Sequence, residues 1–178
     1  MSKRFVILGG GESGVGAALL AKKKGYDVFL SDESSLKDGY RNELLNAGID
    51  FEEGKHSVEK ILNADEVMKS PGIPEKAAMV KKIRSAGIAV VSEIEFAFRF
   101  KGDSKIIAIT GSNGKTTTTA LTFHLCSTAG LDAAMVGNIG ASFARQVAVH
   151  PKDLYVVEVS SFQLDDIKHF KPDVAILT

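Results

Sequence analysis

The chain has 178 residues, 44% apolar and 25% charged, and its 22 basic side chains balance 22 acidic ones to leave no formal net charge. Such a composition describes a globular fold and argues against nucleic-acid binding through a broad electrostatic field. Its apolar runs are too short for a bilayer, Ser2-Lys3-Arg4 leads into a strand pattern and not a signal peptide, and a lone cysteine excludes an internal disulfide framework. A cytoplasmic protein is expected.

The predicted elements alternate between strand and helix. A strand over 4–8 meets a glycine turn and a helix over 15–24, then a strand over 27–31 and a helix over 36–47 that stops at Gly48. Short strands over 49–52 and 66–69 flank a helical turn over 58–63. Pro74 near its start and Gly87 past its end predict a helix over 74–86, before a strand over 88–91. This rhythm predicts an α/β fold with a parallel sheet and helices on both faces, Rossmann-like in its first domain. A phenylalanine-rich helix over 92–100 follows, with Phe96, Phe98 and Phe100 expected to pack at a domain junction.

The polar break at 101–104 separates a domain over 1–93 and a junction over 94–104 from a second α/β unit over 105–178. That unit reads as a strand, a phosphate loop, a helix to about Ala129, a strand over 133–136, a helix over 142–149, a strand over 154–159 and a last strand over 174–177. Cys126 falls in its first helix and is expected to be a buried small hydrophobe. A second domain of this size looks incomplete, and the chain is expected to be the first part of a longer protein.

Residues 105–118 carry the strongest chemical signal. An apolar strand enters a turn with Gly111 and Gly114, and Lys115, Thr116 and Thr117 open a helix. Glycines let backbone N–H groups face an anion, and the helix N-terminus adds positive potential. Lys115 supplies a mobile charge for β- and γ-phosphates, and the Thr116 hydroxyl a ligand for Mg²⁺. The spacing is shorter than the usual P-loop, because Ile109 stands where that motif has its first glycine. Glu158 ends an apolar strand, where P-loop enzymes place a second acid on the Mg²⁺ side; the alternative is an exposed strand residue. Asn138, between Gly137 and Gly140, either bonds substrate or metal-bound water or tolerates a left-handed turn.

In the first domain, Gly9, Gly11 and Gly14 fit a dinucleotide-type turn between a strand and a helix, which also suits a nucleoside-diphosphate sugar or serves only as a tight turn. Asp32 reads either as a ribose ligand or as a helix N-cap. The Ser70-Pro71-Gly72-Ile73 turn would reach the same sheet edge, or be a plain turn. His56, His124, His150 and His169 show no ligand spacing and read as structural or solvated.

Taken together, Thr110-Gly-Ser-Asn-Gly-Lys-Thr116, Gly137-Asn-Ile-Gly140 and Glu158-Val-Ser-Ser-Phe-Gln-Leu164 resemble the Mur ligases, ATP-dependent amide-forming enzymes of peptidoglycan synthesis. With the Gly9–Gly14 turn, Ser70–Ile73, Glu93-Ile-Glu95, Ser160-Ser-Phe-Gln163 and Asn113, where the alanine-adding member is expected to carry histidine, the chain most resembles the branch using UDP-N-acetylmuramoyl-L-alanine and D-glutamate. The resemblance implies that ATP phosphorylates the substrate carboxylate and an amine attacks the acyl phosphate. It implies that Gly111, Ser112, Asn113, Gly114, Lys115, Thr116 and Thr117 hold ATP, that Thr116 and Glu158 hold Mg²⁺, and that Lys115, Glu158 and Asn138 serve catalysis. Ser13, Gly14, Asp32, Gly72, Asn138, Ser160 and Gln163 would contact the UDP-sugar peptide. The family's second-metal histidine and carbamylated lysine, and its C-terminal domain, find no counterpart in these residues, so the 178 residues alone are expected to be inactive. A monomer is expected. Alternatives from the residues themselves are another amino-acid ligase of the family, a nicotinamide-binding module and a non-catalytic nucleotide-binding scaffold.

Overall fold

The computed structural model describes residues 2–178. The first sheet is built from β1 (Arg4–Leu8), α1 (Glu12–Lys23), β2 (Asp27–Ser31), α2 (Asp38–Asn46), β3 (Asp50–Glu52), α3 (Val58–Leu62), β4 (Glu66–Lys69), α4 (Ala78–Ser85) and β5 (Ala89–Val91). Its strands run parallel in the order β3-β2-β1-β4-β5, with Phe5 opposite Val28 and Glu66. The chain moves outward from β1 on one side and returns on the other at β4, which opens a crevice at the carboxyl ends of those two strands.

After α5 (Glu93–Phe98) comes a second set: β6 (Lys105–Thr110), α6 (Lys115–Thr128), β7 (Ala133–Gly137), α7 (Phe143–Val149), β8 (Leu154–Glu158), α8 (Ser161–Leu164) and β9 (Val174–Leu177). These strands are parallel in the order β7-β8-β6-β9. The strand that feeds the phosphate loop is therefore central, flanked by β8 and β9.

Alternation along β1 explains the layering. Phe5 and Ile7 face one side and Val6 and Leu8 the other, all essentially without solvent exposure. Val6 and Leu8 meet Ile61, Val80 and Ile83 under α3 and α4. Phe5 and Ile7 join a larger cluster through α1 that continues to Phe143, Val147 and Tyr155 of the second set. Each fully buried side chain of this size contributes about 1.5–3 kcal/mol of transfer free energy. A single apolar core thus joins the two sheets. Gly16 permits the helix contact within it: a Cβ there would lie 2.0 Å from Ser142 Oγ on the N-cap of α7.

Several boundaries differ from the sequence expectation. α1 begins at Glu12, because Gly11 is already its N-cap and the acidic side chain favours the positive helix end. Pro74 does not open α4; residues 74–77 form a turn closed by the Ala77 N–H on the Pro74 carbonyl, and the helix starts at Ala78. The junction is no free connector. Ile94, Phe96 and Ala97 of α5 are fully buried, and Phe96 stacks on Phe5 with centroids 4.2 Å apart. Phe98 meets Phe170 edge to face. Cys126 is half-buried where burial was expected, since α6 buries only Thr119 and leaves Leu121 and Leu125 exposed. The single-turn α8 had no predicted counterpart.

Candidate functional site

The phosphate loop leaves β6 through Gly111, at φ 141°, and enters α6 through Gly114, at φ 78°. Glycine is needed at 111 for space as well as for conformation, since a Cβ would lie 1.9 Å from the Thr178 carbonyl oxygen. The Ser112 N–H donates to that carbonyl. Lys115 Nζ donates to the Gly111 carbonyl at 2.8 Å, which lays the ammonium across the loop. Ser112, Asn113, Gly114, Thr116 and Thr117 are exposed.

Behind the loop, Glu158 at the end of β8 is 1% exposed. Its Oε2 accepts from the Thr116 hydroxyl at 2.8 Å and its Oε1 from the Asn138 amide at 2.9 Å. One alternative for each of these residues falls away. Glu158 is buried, not exposed, and Asn138 is no left-handed turn residue: the positive φ values belong to Gly137 and Gly140. Gly137 lets β7 approach β8, since a Cβ there would lie 2.3 Å from the Glu158 carbonyl oxygen. Among the described residues, a buried carboxylate with only neutral donors on its oxygens sits beside a threonine hydroxyl at a helix N-terminus. That donor set suits a hard divalent cation, for which Thr116 and Glu158 are the candidate ligands.

The first sheet carries a cavity of about 660 Å³ at its carboxyl edge, lined among others by Asp32, Ser34, His56, Gly72, Ile73 and Lys82. Asp32 is not a helix N-cap, a position Lys37 takes for α2. Its Oδ2 accepts from the Gly10 N–H at 2.6 Å and its Oδ1 from the Ser34 N–H at 2.7 Å, so it fixes the glycine turn against the loop after β2. Gly72 lines the cavity with open space around it. Gly14 has a packing role, because a Cβ there would lie 1.8 Å from the Gly9 carbonyl oxygen. Ser13 is half-buried in the first turn of α1 and does not line the cavity. Ser160 and Gln163 form the capping box of α8, with Gln163 Oε1 accepting from the Ser160 N–H at 2.9 Å.

Charged groups tie the two sheets together. Lys69, 4% exposed at the end of β4, lies 3.4 Å from Asp166, itself 6% exposed beyond α8. Arg84 of α4 bonds the other Asp166 oxygen at 2.5 Å, and Lys69 also donates to the Ile73 carbonyl at 3.2 Å. The turn after β4 and the segment after α8 therefore share one buried cluster. Glu12 accepts from the Ser142 N–H at 3.0 Å and from Arg145 Nε at 2.7 Å. Glu93 accepts from the Ala144 N–H, and burial pushes its carboxyl up to about 8, with the Glu12 charge adding to the effect against the Ala144 bond. Two residues on, burial also works to raise Glu95, but the N–H groups of Lys168, His169 and Phe170 outweigh it and hold that carboxyl below its ordinary value. Sequence reasoning missed the roles of Lys69, Asp166, Glu12 and His56, whose partners are distant in the chain, although Glu12, like Glu93 and Glu95, stood in a motif it had singled out.

The description "Mur ligase MurD-like, N-terminal domain" matches residues 3–92, and "Mur ligase middle domain" matches residues 109–178. The UDP-N-acetylmuramoylalanine--D-glutamate ligase of Cytophaga hutchinsonii is 60% identical over 99% of the chain, which spans 40% of that relative. The enzyme of the same name from Bacteroides fragilis is 55% identical over 98% of the chain and is covered to 39%. The chain thus spans about 40% of the length of the curated relatives it matches. Among solved structures, the UDP-N-acetylmuramate:L-alanyl-gamma-D-glutamyl-meso-diaminopimelate ligase of Neisseria meningitides superposes over the whole chain and 61% of its own length, at TM-score 0.64 and 22% identity. The UDP-N-acetylmuramate-alanine ligase of Thermotoga maritima follows over 98% of the chain and 41% of its own length, at TM-score 0.60 and 21% identity. These two share the fold, while the family rests on the matched domains: the chain belongs to the Mur ligases.

Proposed function

We propose that the whole protein is an ATP-dependent amide ligase that adds D-glutamate to UDP-N-acetylmuramoyl-L-alanine through an acyl phosphate. The observation that carries this reading is the Glu158–Thr116–Asn138 cluster directly behind a lysine-bearing phosphate loop. Its support is the high identity to relatives with that printed name. In this reading residues 1–93 hold the UDP end, 94–104 join the domains, and 105–178 hold ATP.

Residues Gly111 to Thr117 would cradle the triphosphate, and Lys115 would leave the Gly111 carbonyl to follow the transferring phosphoryl group. Thr116 and Glu158 would hold Mg²⁺, which when bound supplies positive charge beside the phosphate oxygens. Asn138 holds Glu158 from the other side and fixes the carboxylate plane. Charge stabilisation of this kind is the main task of a phosphoryl-transfer site, because the protein makes no covalent bond in it. Asp32 and Gly72 would contact the nucleotide end, and Ser13, Ser160 and Gln163 its sugar-peptide end, with Gly14 acting through the tightness of its turn. A cytoplasmic monomer is part of the same proposal. Among the described residues no helix is long and apolar enough to cross a membrane.

Thermal unfolding tests the reading. A ligand at 100 times its Kd stabilises by ~2.7 kcal/mol, so UDP-N-acetylmuramoyl-L-alanine and Mg-ATP should each raise Tm. Stabilisation by NAD(H) but not by the UDP-sugar would overturn the assignment of the first cavity.

A further inference from the structure

His56 lies beyond β3 and lines the cavity alongside Asp32 and Gly72. Its Nδ1 is 2.7 Å from the hydroxyl of Ser31, which is fully buried at the end of β2. The same hydroxyl is 2.8 Å from Oε1 of Glu52, and its distance to the Lys55 carbonyl is longer, at 3.4 Å. A serine hydroxyl has a single proton to donate. Burial works to raise the Glu52 carboxyl, but its bonds from Ser57 and Ser31 and the charge of Lys60 outweigh this and hold it below its ordinary value. An ionised carboxylate only accepts, so Ser31 donates to Glu52. The short contact to His56 then requires the ring to donate from Nδ1 to Ser31. In the neutral imidazole this fixes the Nδ1–H tautomer and makes Nε2 an acceptor. Among the described residues no hydrogen bond engages Nε2.

An acceptor-only nitrogen on a nucleotide-sized cavity discriminates between bases. Uracil presents a ring N–H between two carbonyls, whereas cytosine presents a lone pair at the same ring position. Opposite Nε2 the first makes a hydrogen bond and the second sets two acceptors against each other. A ribose hydroxyl both donates and accepts, so it gains no such selectivity from a pure acceptor. We propose that His56 is a specificity-determining residue that accepts a hydrogen bond from the ring N–H of a uracil base through Nε2, with Ser31 and Glu52 fixing its tautomer. This rests on the reading of the cavity as the UDP end of the site.

The test is calorimetric binding of UDP, CDP, N3-methyl-UDP and 2′-deoxy-UDP to the full-length protein and to His56→Phe. The native protein should favour UDP over both CDP and N3-methyl-UDP by about tenfold or more, and in the variant UDP should weaken by a similar factor while those preferences collapse. Unchanged preferences in His56→Phe would overturn the proposal. So would a variant that loses discrimination against 2′-deoxy-UDP instead, which would place the ribose at His56. Failure of the native protein to bind UDP would overturn the nucleotide reading of the cavity, and this proposal with it. Should the variant not fold, long-range ¹H–¹⁵N spectra of the native protein read the tautomer directly: an Nδ1–H imidazole is expected at His56, and an Nε2–H one contradicts the relay.

Discussion

Both β1–α1 and β6–α6 pass from a central strand through a glycine turn into a helix, yet the two turns are held from opposite sides. The first is gripped by its surroundings: the Gly9 N–H donates to the Ser31 carbonyl, the Gly10 N–H to Asp32, and Ser70 Oγ donates to the Gly9 carbonyl. Its helix buries Gly14 to Ala18 without interruption, packed between the first sheet and α7. The second turn takes one backbone bond from its surroundings, Ser112 N–H to the Thr178 carbonyl, and is otherwise gripped by its own side chains, Lys115 on Gly111 and Thr116 on Glu158, while its helix buries only Thr119. Similar backbone devices therefore serve different purposes. Packing sets the shape of the first turn, which suits a preformed nucleotide cavity. Mobile charge sets the second, which suits a group that must follow a phosphoryl transfer.

Three sets of substitutions sharpen or break this contrast and the contacts that hold the two regions together. The largest stability effect is expected at the ionic cluster that bolts the turn after β4 to the second sheet. Asp166→Leu leaves the buried Lys69 with only the half-exposed Glu75, 3.3 Å away, and should cost about 2–4 kcal/mol in chemical denaturation. The paired change Lys69→Met with Asp166→Leu should recover most of that loss. If the single change is harmless, the cluster does not hold the two sheets in register.

Next is the first turn. Gly14→Ala should cost about 1–3 kcal/mol, because the added methyl meets the Gly9 carbonyl. Gly11→Ala, with open space around it and φ at −78°, should cost less than about 1 kcal/mol. Equal effects at the two positions would show that packing does not set this turn.

The last is a pH dependence between the two sheets. With its carboxyl pushed up to about 8 by burial, Glu93 binds its proton more tightly in the folded chain than in the unfolded one. Its stabilisation is complete below the unfolded value and is lost as pH rises through about 8. Glu93→Gln keeps an acceptor for the Ala144 N–H and removes the titration. Its Tm should match the native value below about pH 4 and exceed it increasingly as pH rises from there to about 8. Glu95, held below its ordinary value by three backbone N–H groups, gives the opposite sign: its contribution is lost as pH falls.

Much of this architecture was legible along the chain. The strands announced themselves as apolar runs, because central parallel strands such as β1 and β8 are buried on both faces. The phosphate loop and Glu158 were legible because their chemistry requires glycine, lysine, threonine and a carboxylate at set positions. Helix starts were less so. Gly11 makes an N-cap without a side-chain signal, and Pro74 promised a helix that begins only at Ala78. The contacts between the sheets were not legible at all, since Glu12 and Arg145 stand 133 positions apart and Arg84 and Asp166 82 apart. His56 reads as structural or solvated along the chain, because it shows no ligand spacing and its link through Ser31 to Glu52 forms no sequence pattern.

The central claim is that the second turn acts through charge and not through packing. Its most direct measurement is ATP-dependent phosphate release by full-length Lys115→Ala in the presence of UDP-N-acetylmuramoyl-L-alanine and D-glutamate. Turnover should fall by about 10²–10³ or more while Tm stays within about 2 °C of native, because the Lys115 side chain bonds only exposed or half-buried loop carbonyls. Retained turnover, or a loss explained by unfolding, would contradict it.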